Sequence, residues 1–199
     1  MDIETRGDSR LLDTYLENLS APKTYKDPEA IAKFLAIKKS EARKGMSLDP
    51  DFAEILCIGI KELGKEGKLL SLAEFADWLK IKDEDGLMNL SKKMITFNGK
   101  QFDLPIIIRA GIKAGLNLPY DVLKERCDKY SKNHIDLMQE LAVGFGNYKS
   151  LDKYLQIYLG VKKVTIDFDT ATEDEIRKHC LDDISLTEKL FNKFKPLFV

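Results

Sequence analysis

Two carboxylates open the chain, because Asp2 and Glu4 are separated by a single apolar residue, Ile3. On a β-strand, residues i and i+2 share a face, so both carboxylates would lie side by side while Ile3 enters a core. Such close like charges repel each other unless a cation lies between them, and Mg²⁺ or Mn²⁺ prefers carboxylate oxygens. Taken alone, the pattern also fits a solvated acidic terminus, so a metal site needs further ligands.

A third candidate ligand is Asp103, which stands at the predicted start of a helix with Pro105 in its first turn. An aspartate at this place is also a good helix N-cap, which would explain it without any metal. Only together with Asp2 and Glu4 do we interpret Asp103 as a ligand.

The last helix supplies the fourth carboxylate. Thr172 and Glu175 have capping-box spacing and predict a helix that runs to about Phe194. Its apolar residues recur at spacings of three and four, and Asp183 falls inside that stripe while Asp182 falls on the opposite side. A carboxylate on a buried face is costly unless a cation or hydrogen bonds compensate it, so we expect Asp183 to be a ligand and Asp182 a surface residue.

His179 lies one helical turn before Asp183, so both side chains are expected to point the same way. Alone, it would be interpreted as a half-buried helix histidine; beside Asp183 it becomes a candidate acid-base group. A second histidine, His134, and its neighbour Asp136 are interpreted as structural and are left out of the metal site.

Other elements must hold these residues in place. A helix is predicted from Pro28, capped by Asp27, to about Lys44, and an almost continuously apolar run over 54–60 predicts a central strand. Lysine or arginine recurs at 33, 38, 39, 43 and 44, which is typical of a solvated helix face; a surface that faces nucleic acid is the alternative. The G-x-G of Gly144 to Gly146 lacks a third glycine and a preceding strand, so we reject a dinucleotide loop there.

Composition sets the wider limits. With 199 residues and 44% hydrophobic residues, the chain is expected to form a single domain over 1–199. A net charge of −1 provides no global basic field, so a nucleic-acid partner would need a local basic patch or metal ions. Three cysteines without a C-x-x-C, no apolar run of membrane length and no signal peptide predict a cytoplasmic protein with no membrane partner.

Three motifs in this order resemble the DEDD superfamily of 3′–5′ exonucleases, most closely the group related to the proofreading exonuclease domain of family B DNA polymerases. They are D-I-E-T over 2–5, N-G-K-Q-F-D over 98–103 and H-C-L-D-D over 179–183. The resemblance implies an α/β ribonuclease H-like fold, with a mixed central sheet of about five strands and helices on both faces. It implies metal-dependent 3′–5′ hydrolysis of single-stranded DNA, or of RNA, that releases nucleoside monophosphates.

The resemblance also implies roles for these residues. Asp2, Glu4 and Asp183 would hold one divalent cation, Mg²⁺ or Mn²⁺, and Asp103 would orient a second that Asp2 also touches. Two such cations, about 3.5–4 Å apart, activate a water and stabilise the leaving 3′ oxygen. The pocket for the 3′-terminal nucleotide would be lined by Thr5, Asn98 and Phe102.

Two departures from the family pattern bear on activity. The related group usually has tyrosine at the position of His179, so His179 would have to orient or deprotonate the attacking water. Only Met1 precedes Asp2, whereas the first strand of this fold begins several residues upstream. We therefore expect a mis-assigned start, a trimmed chain or a degenerate copy. The alternatives to an active exonuclease are a catalytically weak module that binds nucleic-acid ends or a protein partner, and another metal-dependent nuclease of the same fold.

Overall fold

The computed structural model describes residues 1–142, 147–168 and 170–198. The rejected dinucleotide loop at Gly144 to Gly146 lies outside these residues. None of the helices in the described part of the chain is long and apolar enough to cross a membrane.

Five strands lie in two small sheets. β1 (Asp2–Gly7), β2 (Ala53–Ile60) and β3 (Lys68–Leu70) form an antiparallel sheet in the order β1-β2-β3. β4 (Met94–Thr96) and β5 (His134–Asp136) form a parallel pair. The apolar run of β2 lies between two neighbours, so its predicted central position is confirmed.

The predicted continuous five-stranded sheet is wrong, because the strands divide into a sheet of three and a sheet of two. The Met1 amino nitrogen donates to the Ile95 carbonyl at 2.9 Å, so β1 and β4 meet at this point. In the described residues the two strands form no further hydrogen-bonded pairing, so β1 and β4 belong to separate sheets. The mixed α/β architecture itself agrees with the predicted class.

Nine α-helices complete the described part of the chain: α1 (Leu12–Glu17), α2 (Pro28–Ser40), α3 (Ala42–Ser47), α4 (Leu72–Trp78), α5 (Asp103–Lys113), α6 (Tyr120–Cys127), α7 (Leu137–Leu141), α8 (Leu151–Leu159) and α9 (Glu173–Phe194). The side chain of Asp27 caps α2, and Thr172 forms the predicted capping box of α9 with Glu175. The predicted end of α2 at Lys44 is wrong, because the helix breaks after Ser40.

Helix α3 turns away from α2 in order to pack on β1. Its residues Ala42 and Met46 are buried, whereas α2 has no buried residue. Met46 lies so close to Gly7 of β1 that a Cβ atom at Gly7 would be 2.8 Å from the Met46 Cβ. The break therefore lets the chain bury Met46 against the strand that carries Asp2 and Glu4.

Two hydrophobic clusters support the sheets. The larger lies between the β1-β2-β3 sheet and helices α4 and α5, and includes Ile3, Ile58 and Leu104. The second lies around the start of α7 and between α8 and α9, and includes Leu137, Leu155 and Leu190. Only 3% of Ile3 is exposed, which confirms the prediction that it points into the core.

Candidate active site

Strand β1 carries the first two carboxylates at the place where its ladder becomes irregular. Asp2 pairs with Gly59 and Glu4 with Cys57 of β2, and the register then shifts between Glu4 and Thr5. Such shifts bend a strand and change the direction of its side chains, and they are frequent beside active sites. Glu4 is buried at this point, on the face opposite to the core residue Ile3.

Helix α9 brings the C-terminal residues to the same place. Asp183 and His179 are buried and Asp182 is exposed, so the predicted helix phase is confirmed. Ligand atoms of Glu4, His179 and Asp183 all lie within 4.8 Å of one another, and those of Asp2, Glu4 and Cys180 form a second group of the same size. Glu4 is common to both groups, so the two ends of the chain meet at this carboxylate.

Asp103 lies at the start of α5 and is 2% exposed. Its alternative interpretation as a helix N-cap is wrong, because the cap position falls on Phe102 and carries no side-chain cap. Asp103 belongs to neither ligand group, yet its negative charge helps to raise the pKa of Asp2. Asp103 is therefore close enough to affect the charge of Asp2, although its ligand atoms lie outside the two groups.

Several oxygens of this cluster have no hydrogen-bond partner. They are Glu4 Oε1, Asp103 Oδ1, Asp183 Oδ1 and the nearby amide oxygen Asn98 Oδ1, and all four are buried. Buried polar atoms are nearly always satisfied, so a concentration of unsatisfied acceptors indicates that something else binds them. Hard divalent cations prefer such oxygen donors, so these residues fit Mg²⁺ or Mn²⁺ and could hold it.

Electrostatics point the same way. Burial, and then repulsion from Asp183, raises the pKa of Glu4 to about 8, although Lys163 opposes the shift. Burial raises the pKa of Asp103 to about 7. Burial also raises the pKa of Asp2 well above its usual range, and repulsion from the neighbouring carboxylates adds to it. Without a bound cation the cluster therefore keeps protons that an isolated carboxylate would lose.

Comparison with protein families identifies the chain. Residues 81–197, more than half of it, match a family described as predicted 3′–5′ exonucleases related to the exonuclease domain of PolB. The chain belongs to this exonuclease family. The match includes Asp103, His179 and Asp183, whereas Asp2 and Glu4 precede it. No curated protein and no solved structure matched the chain in the corresponding searches.

Two residues beside this candidate site were missed from the sequence. The Lys163 ammonium donates a hydrogen bond to Asp183 Oδ2, and Lys163 lies in the irregular segment that precedes α9. In the same segment, Phe168 stacks on the His179 ring, with centroids 5.6 Å apart. Neither residue shows a periodicity or motif that would have pointed to a contact with α9.

The three predicted nucleotide-binding residues are only partly brought together. Thr5 and Phe102 line one groove of about 450 Å³ together with Glu4, and the Thr5 hydroxyl donates to the Ser47 carbonyl at 2.8 Å. Asn98 does not line that groove. It has a positive φ of 68°, a conformation that asparagine tolerates better than most residues.

Asp136 explains how the turn at Asn98 is held. Its carboxylate accepts hydrogen bonds from the backbone N–H groups of Asn98 at 2.9 Å, Lys100 at 3.0 Å and Met138 at 3.1 Å. Both ring nitrogens of His134 also have partners within 2.8 Å. These contacts support the structural interpretation of His134 and Asp136: Asp136 orders the turn that leads into Phe102 and Asp103.

Proposed function

We propose that the protein is a metal-dependent 3′–5′ exonuclease that removes nucleoside monophosphates from the 3′ ends of single-stranded DNA or RNA. The observation that carries the proposal is the convergence of Asp2, Glu4, Asp103 and Asp183, with unpartnered buried oxygens on three of them, in a member of a predicted exonuclease family. Carboxylates that repel one another are retained where a cation compensates them.

The donor set would hold two divalent cations. Glu4 and Asp183, with Asp2, would bind one, and Asp2 with Asp103 would bind the other. Once bound, the cations supply a Lewis acid for the scissile phosphate and a nucleophilic water at neutral pH. The carboxylates must be ionised in order to bind, so loading the site releases the protons that their raised pKa values retain.

His179 would accept a proton from the attacking water. Burial lowers the pKa of His179, so its ring is neutral and able to accept a proton at neutral pH. Phe168 stacks on one face of the ring, and Asp183 Oδ1 lies 3.5 Å from Nδ1. The ring is thereby held in place beside the carboxylate cluster, where tyrosine is usual in the related group.

The substrate end would enter the groove beside Glu4. Thr5 and Phe102 line this groove, and the half-buried Phe102 ring offers an apolar surface on which a terminal base can stack. Asn98 was also expected to bind this nucleotide, but it lies outside the groove, so no contact with the nucleotide is assigned to it. A net charge of −1 favours short single-stranded ends over long duplexes, which need many phosphate contacts.

A cleavage assay tests the proposal. Single strands of DNA and of RNA, labelled at the 5′ end, are incubated with Mn²⁺ and separated by length. The expected product is a ladder that shortens by one nucleotide at a time from the 3′ end, and EDTA abolishes it. Internal fragments at early times would instead support another nuclease of the same fold. Binding of 3′ ends without any cleavage would support the module that only binds them.

A further inference from the structure

The segment between β1 and β2, residues 8–52, contains α1, α2 and α3 and precedes the residues that match the exonuclease family. We call it the β1–β2 segment. Its longest helix, α2, has no buried residue, so little of the hydrophobic core depends on it. A helix that contributes no buried residue to the core can carry side chains that bind a ligand at the surface.

Five cations lie within residues 33–44 of this segment. Each is exposed, and none has an ion-pair partner among the described residues: Lys33, Lys38, Lys39, Arg43 and Lys44. Some cations of the chain are paired in contrast; for example, Arg6 donates to Glu54 at 2.8 Å. Exposed cations that form no ion pair within the protein are well suited to bind phosphates.

Part of this cluster reaches the candidate active site. Arg43 and Lys44 line the groove that contains Glu4, Thr5 and Phe102. The same two residues also line a neighbouring groove with Lys39. The two grooves therefore adjoin at Arg43 and Lys44, and we call them together the cation path.

The cation path also contains acidic residues. Asp167 lines the groove that contains Thr5 and Phe102, and Glu41 lines the adjoining groove. A third groove opens beside His179 and Asp183, and it is lined by the exposed Lys162, Lys178 and Lys189. The third groove does not contain Thr5 or Phe102, the residues expected to hold the terminal nucleotide. The cation path is therefore the better candidate to bind the rest of the strand.

We propose that Lys39, Arg43 and Lys44 bind the phosphodiester backbone of a single-stranded nucleic acid, on the 5′ side of the nucleotide held at Thr5 and Phe102. Continuity with the carboxylate cluster fixes the polarity, because the 3′ end must reach the carboxylates. The polarity rests on the proposed exonuclease function, whereas the phosphate contacts can be measured without cleavage. Contacts of this kind do not read the sequence of the strand.

The test measures binding against salt concentration in EDTA, with fluorescently labelled single strands of DNA and of RNA. The triple variant Lys39→Gln/Arg43→Gln/Lys44→Gln is compared with the unmodified chain. Each lost phosphate contact reduces the slope of log K against log[salt] by about 0.7, so the slope should fall by about 2. The same arithmetic predicts roughly 100-fold weaker binding at 0.1 M salt.

The matched control is Lys162→Gln/Lys178→Gln/Lys189→Gln, which removes the same charge from the groove on the other side of Asp183. The control should keep the original slope, and both strand types should respond alike to the first variant. An unchanged slope in the first variant, an equal loss in the control, a response with one strand type only, or no binding by the unmodified chain would each overturn the proposal.

Cleavage of the same strands by the unmodified chain with Mn²⁺ is scored separately. If binding follows the expected slopes and nothing is cleaved, the exonuclease proposal fails while the cation path is retained. If the strands are cleaved and the slopes do not change, the cation path fails alone.

Discussion

The polar side chains of β4 and β5 and the carboxylates around β1 are both buried, but they differ in how their polar atoms are satisfied. Both ring nitrogens of His134 are hydrogen-bonded at 2.8 Å: Nδ1 donates to the Arg126 carbonyl, and Nε2 pairs with the Thr96 hydroxyl. Asp136 accepts three backbone N–H groups. The β1 cluster, in contrast, leaves oxygens of Glu4 and other carboxylates without partners.

This difference separates a structural role from a chemical one. A satisfied buried network fixes one conformation and stabilises the fold. Unsatisfied buried acceptors destabilise the fold by themselves and are retained where a ligand completes them. Asp136 connects the two regions, because it orders the turn at Asn98 that leads into Asp103.

The largest expected effect is on catalysis. Asp183→Asn removes one negative ligand from the cluster and should reduce cleavage of labelled single strands by about 10³-fold or more, since metal ions supply several kcal/mol of transition-state stabilisation. Asp182→Asn, at the exposed neighbouring position, is the matched control and should stay within a few-fold of the original rate. Equal losses in both variants would show that the charge of α9, rather than ligation, matters.

The next effect concerns the acid-base group. His179→Ala should reduce cleavage roughly 10²–10⁴-fold, the usual range for a positioned general base. Burial lowers the pKa of His179, so cleavage should rise as the pH is raised through a midpoint below about 6.5, where the ring becomes neutral. His179→Tyr should retain much of the activity. The pH–rate profiles of kcat/KM test this prediction. An unchanged profile in His179→Ala would exclude His179 as the general base.

The satisfied region predicts a loss of stability instead. Asp136→Asn weakens three hydrogen bonds to a buried carboxylate and should lower the free energy of unfolding by about 2–4 kcal/mol, with or without Mn²⁺. Asp128→Asn is the control, because Asp128 accepts one backbone N–H, that of Tyr130 at 2.7 Å, at an exposed turn. Urea unfolding measures both. A loss below about 1 kcal/mol for Asp136→Asn would contradict the structural role.

The smallest effect is a pH dependence of the metal-free chain. Burial and repulsion raise the pKa of Glu4 to about 8, whereas an unfolded glutamate titrates near 4.5. The folded state therefore binds more protons than the unfolded state, so stability in EDTA should fall as the pH rises from 6.5 to 8, by roughly 1–2 kcal/mol. Urea unfolding at both pH values measures this, and Glu4→Gln should reduce the fall. Stability that rises with pH would exclude a protonated cluster.

Local patterns in the sequence predicted much of the candidate site. Alternation on β1 placed Ile3 in the core, and the apolar stripe of α9 separated buried Asp183 from exposed Asp182. The capping box at Thr172 was also visible, because a cap involves only neighbouring residues. Strand and helix periodicity therefore predicted which of these side chains point into the protein and which point to solvent.

Contacts between distant segments could not be predicted in this way. Lys163 meets Asp183 from an irregular segment 20 residues earlier, and the two hydrogen bonds that Asp136 accepts from the turn at Asn98 span 38 and 36 residues. The division into two sheets follows from the contact between β1 and β4, which in the described residues is the hydrogen bond from Met1 to Ile95 without a ladder. Such contacts depend on tertiary packing, which no local period encodes.

The central claim is that the carboxylates around β1 form a cation-binding site. Calorimetric titration of Mn²⁺ into the chain near pH 7 tests this most directly, in two buffers of different ionisation enthalpy. We expect about two Mn²⁺ bound per chain with release of protons, because the raised pKa values keep the cluster partly protonated. Asp183→Asn should lose at least one of these ions. Binding that is identical in the unmodified chain and in Asp183→Asn, or no binding by either, would contradict the claim.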